Sequence, residues 1–167
     1  MSEFCVVVAS GARARFFTLE PIDVPEFESG PRLVERGEIF NEEKSIPGLE
    51  KYSGPKAGSH RGSSGGPAHD YEDHRLKHEL EADRRFARQI LTKTRQITKD
   101  YKARHLVVAA PARILGSLTN DLKNLGKPGL STHKVAKDLT KFSPEQIHKH
   151  LHEKGILPTR KGPGNYA

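Results

Sequence analysis

The sequence predicts an α/β protein, a mixed sheet with helices packed on it. Two observations lead there. Short apolar runs, Phe4–Ala9 and Leu106–Ala110, have the length and composition of buried strands. The order read along the chain is three strands, a long loop, then helix, strand, helix, strand, helix, so an antiparallel start is followed by crossover units. A chain of 167 residues suits one domain with one core, although only 34% of it is hydrophobic. Residues 1–157 are read as that domain, with a glycine-rich loop at about 41–73 and a flexible basic tail at 158–167.

Each element has its own signal. Phe4, Val6 and Val8 alternate with Cys5, Val7 and Ala9, all apolar, which fits a central strand covered on both faces. Ser10-Gly11 turns the chain into a second strand, Ala14–Leu19, with Arg13 and Arg15 at its start. Leu33–Phe40 reads as a third strand, placed toward an edge by Gly37. From Asn41 to Asp73 no periodicity survives, and six glycines and three prolines punctuate the segment. A long helix is predicted over roughly Asp73–Tyr101, capped by Asp70 or Asp73. Its stripe is Leu76, Leu80, Asp83, Ala87, Ile90, Thr94 and Ile97, mostly apolar. His105–Ala110 is the next strand, Ala112–Asn124 a helix, Thr132–Asp138 the last strand, and Ser143-Pro144 opens a final helix.

Charge narrows the function. The net charge is +7, but residues 1–50 carry 5 basic and 10 acidic groups while residues 51–167 carry 23 basic and 11 acidic. A basic portion of that size favours a polyanionic partner, most simply RNA, and no DNA partner is expected. The exposed side of the long helix carries Arg75, Lys77, Arg84, Arg85, Arg88, Lys93, Arg95 and Lys99. Phosphates need many such point charges rather than one shaped pocket. No apolar run approaches the ~18 residues that span a bilayer, and the N-terminus lacks a signal-peptide pattern. Membrane insertion is therefore not expected, and the location expected is the cytoplasm.

Catalytic patterns are sparse. Gly62, Gly65 and Gly66 are not followed by Lys-Ser/Thr, so no phosphate-binding loop is read there, and no cofactor is expected. Cys5, the one cysteine, lies inside an apolar strand and reads as a small buried hydrophobe. His74 and His78 are four apart on the long helix with Asp70 beside them, a weak metal-binding candidate; His148 and His152 repeat the spacing on the last helix. No glutamate base of the zinc-protease pattern stands between either pair. Oligomeric state has no signature in the sequence.

Several stretches together resemble one family. Phe4–Phe17, FCVVVASGARARFF, resembles the opening hairpin of the bacterial host-attachment proteins, and RFARQ at Arg85–Gln89 resembles their RFA helix. VVAAPARILGSL at Val107–Leu118 is similar to their LVLVAPPRxLGxLR segment, and HKVAKDLTKFSPEQIHKHL at His133–Leu151 to their KDLTK segment and following helix. That group in turn resembles the catalytic middle domain of archaeal and eukaryotic peptide-chain release factors and of Pelota, a three-layer α/β fold akin to ribonuclease H.

In the release factors a Gly-Gly-Gln loop precedes a helix that also bears RFAR, and its glutamine orients the attacking water. Here the corresponding stretch is Gly65-Gly66-Pro67, and Phe86 follows Gly66 by 20 positions. Proline has neither the N–H nor the side-chain amide that role requires. The resemblance thus implies ribosome or structured-RNA engagement without peptide release. The surface expected to carry it is Lys51, Lys56, Arg61, Gly65 and Gly66 in the loop, with Arg75, Arg84, Arg85 and Arg88 on the helix. Two alternatives remain at this point: a factor in attachment acting through protein contacts, and a metal-assisted RNA or peptidyl-tRNA hydrolase.

Overall fold

The computed structural model describes residues 2–24, 26–27, 29–45, 67–123, 125 and 128–162. Its elements are β1 (Phe4–Ala9), β2 (Arg13–Glu20), β3 (Arg32–Phe40), α1 (Glu42–Ser45), α2 (Pro67–Asp100), β4 (His105–Ala109), α3 (Ala112–Lys123), β5 (Ser131–Val135) and α4 (Pro144–Glu153). The sheet order is β3-β2-β1-β4-β5. β2 pairs antiparallel with both β1 and β3, whereas β1–β4 and β4–β5 are parallel, so β2 alone runs against the other four strands. β1 is central, with Cys5–Ala9 fully buried, and β3 is an edge, both as the sequence predicts.

Helices cover both faces. On one face Val7, Phe16, Leu106 and Val108 pack with Phe86 and Ile90 of α2 and Leu118 of α3. On the other Val6, Val8, Phe17 and Val107 pack with Leu139 and with Ile147 and Leu151 of α4. Alternation along each strand divides these sets, and burying one such large side chain contributes about 1.5–3 kcal/mol. Phe16 and Phe17 are neighbours on opposite faces, both fully buried.

Between them the β2–β3 register shifts, because Phe16 is opposite Gly37 and Phe17 opposite Glu35. The extra residue, Arg36, sends its guanidinium to Thr18 Oγ1 (2.9 Å) and Glu20 Oε1 (3.0 Å), 4.7 Å from the Tyr101 ring centroid. Burial raises the Glu20 pKa, but hydrogen bonds from Ser2, Thr18 and Arg36 outweigh it and hold the carboxyl below its usual range. At Gly37 a Cβ would stand 3.1 Å from Lys93 Cε, so the missing side chain leaves room for the lysine stem over β3.

Three boundaries differ from expectation. α2 begins at Pro67 rather than Asp73. Proline suits a first helical turn and neither Gly nor Pro recurs through Asp100, so Asp70 and Asp73 lie inside the helix instead of capping it. α1 and this extension also shorten the loop expected over 41–73. β5 ends at Val135 rather than Asp138, because Asp138 Oδ1 accepts from Thr140 N (2.9 Å) and Thr140 Oγ1 (2.6 Å), closing a local turn out of the ladder. α4 starts as predicted, with Ser143 and Gln146 forming a reciprocal capping box.

The segment after α4 packs back on the domain as far as Lys161, which bridges Gly30 through N–H···O bonds of 3.0 and 2.9 Å. A Cβ at Gly30 would fall 2.4 Å from Ile22 Cγ2, so only glycine fits this approach.

Candidate nucleic-acid interface

α2 is one uninterrupted helix of 34 residues, about 50 Å long. From Ala82 onward one side of it is buried, through Ala82, Phe86, Ala87, Ile90, Leu91 and Ile97. Asp83 shares that buried stripe, with its carboxylate 2.9 Å from Arg113 of α3, so a charge the pattern places among apolar residues is neutralised between two helices.

The opposite side is basic. Lys77, Arg84, Arg88, Arg95 and Lys99 are all exposed and fall within roughly 60° of arc over about 33 Å. Glu81 interrupts this line. Among the described residues, none of the five basic groups forms an ion pair.

The predicted residues fall into three groups. Arg84 and Arg88 lie on the basic line. Arg85 stands to one side, held by Glu43 of α1 at 2.6 Å and near Glu81 at 3.9 Å, while Arg75 sits 3.8 Å from Glu79. Lys51, Lys56, Arg61, Gly65 and Gly66 lie outside the described residues. Lys77, Arg95 and Lys99, read from sequence as part of the exposed basic side but not of the expected RNA contact set, extend the line; their heptad-like spacing with Arg84 and Arg88 was the available signal.

The histidine pairs separate as well. His74 and His78 are exposed, and among the described residues no three His, Cys, Asp or Glu side chains group as metal ligands. His148 is buried, its Nε2 2.8 Å from Pro158 O, and His152 Nδ1 is 3.0 Å from Leu157 O. The second pair therefore latches the segment after α4. Cys5 is fully buried, and desolvation pushes its thiol up to about 12, so it is not a nucleophile at neutral pH.

A second polar region lies on the α4 side. Arg15 donates to Thr140 O (3.0 Å) and Phe142 O (2.8 Å) and grips Glu35 with two bonds of 3.2 and 2.8 Å. Arg13 donates to Thr140 O and lies 3.3 Å from Glu38. These groups line an open groove of about 570 Å³ beside Lys141, Phe142 and Gln146. Its arginines are already occupied by carbonyls and carboxylates. The side-chain bond to Glu35 raises the Arg15 pKa further, and the region works as a clamp that holds the Lys137–Lys141 turn on the sheet.

A protein-family profile described as "Protein required for attachment to host cells" matches residues 5–151, from β1 into α4. The chain belongs to the host-attachment family. No curated protein matches its sequence significantly. Within this host-attachment protein the matched span contains both the exposed basic line of α2 and the clamp built on β2. No helix among the described residues is long and apolar enough to cross a membrane.

Proposed function

We propose that this host-attachment family protein is an RNA-binding factor that engages the ribosome or another structured RNA through the outer side of α2. The observation that carries the reading is the line of Lys77, Arg84, Arg88, Arg95 and Lys99, exposed and without ion pairs among the described residues. Point charges spaced along one side of a continuous helix match the demands of a phosphate backbone, which positions a partner without reading its sequence. A mixed sheet with helices on both faces is compatible with the release-factor-like, ribonuclease H-like fold that the resemblance implies. Proline at the position of the catalytic glutamine supports binding without peptide release.

The test is co-sedimentation with ribosomes across a salt series. Binding should weaken steeply with salt, and Arg84→Glu/Arg88→Glu/Arg95→Glu should abolish it at moderate ionic strength. A folded wild-type protein that fails to co-sediment at low salt overturns the reading. The family description favours a second one, a factor in attachment to host cells acting through protein contacts. Cell fractionation distinguishes them, since a surface-exposed pool supports attachment and contradicts a purely ribosomal role.

A further inference from the structure

α2 outruns the sheet. None of residues 74–81 is buried, and burial begins after them at Ala82. Leu76 and Leu80 are 56% and 50% exposed, yet they continue the line of Asp83, Ala87 and Ile90 that faces the core farther along. The core-facing stripe thus runs on into solvent with nothing on it among the described residues. A helical segment of this length gains little stability alone in water.

The sequence over this stretch is Arg75-Leu76-Lys77-His78-Glu79-Leu80-Glu81. It is charge-inverted about His78, with two bases and a leucine before, a leucine and two acids after. Helical geometry places Lys77 and Glu81 on one flank of the leucines and Arg75 and Glu79 on the other. Arg75 Nε is 3.8 Å from Glu79 Oε1 within the same helix. Each flank therefore carries one base, one turn ahead of one acid.

We propose that residues 75–81 form an antiparallel self-association surface, covered by the same stretch of a second copy about a twofold axis that passes between the two helices at the level of His78. In such a pair the same flanks of the two helices come together. Reversing the direction of one helix brings Lys77 of each copy toward Glu81 of the other, and Arg75 toward Glu79, while the four leucines meet between them. A parallel pair would set the two basic halves side by side and the two acidic halves side by side. A partner of uniform charge would satisfy half of the pattern and oppose the rest. The matching surface must itself be charge-inverted, and the chain carries one.

Leu76 and Leu80 form a single i, i+4 ridge, and two such ridges interdigitate at a crossing angle of about −50°. Contact is then confined to about two turns of each helix, small beside the roughly 1,200 Å² of a stable interface, so the pair is reversible. The antiparallel crossing directs the two domains to opposite ends. This inference shares Lys77 with the RNA reading but does not rest on it.

Sedimentation velocity of the full chain over about a hundredfold concentration range tests it. A reversible monomer–dimer equilibrium is expected, with Leu76→Asp/Leu80→Asp raising the dissociation constant at least about tenfold. Both leucines lie outside the core, so the variant keeps its helical circular dichroism. Arg75→Glu/Lys77→Glu makes the stretch acidic and Glu79→Lys/Glu81→Lys makes it basic. Each alone should stay monomeric, and the two mixed should form a heterodimer. A monomer throughout, a dimer indifferent to the leucine pair, or half-swapped variants that do not pair on mixing each overturns the proposal.

Discussion

The arginines at the start of β2 and those along α2 carry the same charge under opposite conditions. Arg15 is only 12% exposed at its side chain, holds two backbone carbonyls and grips a carboxylate with two nitrogens. Arg84 and Arg88 are exposed and have no ion pair among the described residues. The first set is used up inside the domain; the second is available to something outside it. The two histidine pairs teach the same lesson, since four-residue spacing puts His74 and His78 in solvent and ties His148 and His152 to the chain that follows α4. Spacing alone does not assign a role; the presence or absence of a covering segment does.

The largest effect expected from this contrast is at Arg15. Arg15→Ala should cost about 2–3 kcal/mol in denaturant unfolding, because it takes their Arg15 bonds from Glu35 and the Phe142 carbonyl and leaves the Thr140 carbonyl to Arg13 alone. Arg15→Lys should recover only part of that, since an ammonium cannot form the two-nitrogen grip. Equal stability of Arg15→Ala and wild type would dissolve the distinction between the two sets.

A smaller effect concerns pH. Burial holds the His148 pKa below its ordinary value of 6.5, with the charges of Arg160 and His152 acting the same way and the bond to Pro158 O opposing them. Its buried Nδ1 has no hydrogen-bond partner. The neutral ring is therefore the folded form, and the unfolded chain takes up the proton first. Stability should be complete above pH 6.5 and fall as pH drops from there toward the lowered folded value. Denaturant midpoints measured across that window should slope, and His148→Gln should flatten the slope.

The smallest effect on stability is expected at Arg88. Arg88→Ala should shift unfolding by less than about 0.5 kcal/mol, yet flatten the salt dependence of the proposed RNA binding by about one contact's worth, roughly 0.7–0.9 in log–log slope. A stability loss as large as that of Arg15→Ala would mean that the α2 line serves the fold.

Much of this architecture is legible in the residues. The all-apolar run Phe4–Ala9 marks the central strand, and the three- and four-residue steps from Leu76 to Ile97 mark α2. Local chemistry hides other features. Pro67 opens α2 directly after Gly65-Gly66, so its helix signal is masked by loop composition, and Asp138 ends β5 early through a side-chain bond that resembles nothing in the apolar pattern. The basic line was visible as a list of residues, but its alignment along one side of α2 and the lack of ion pairs to it among the described residues needed the helix to be built. The Arg15 clamp was invisible, since its partners lie 125 and 127 positions away.

That distance has a consequence in time. A contact closing so much chain carries a large loop-closure cost until the strands between its ends have assembled. The clamp is thus expected to form late as the protein folds and to be given up early as it unfolds. A contact formed that late tunes how long a folded molecule persists more than how quickly it is reached.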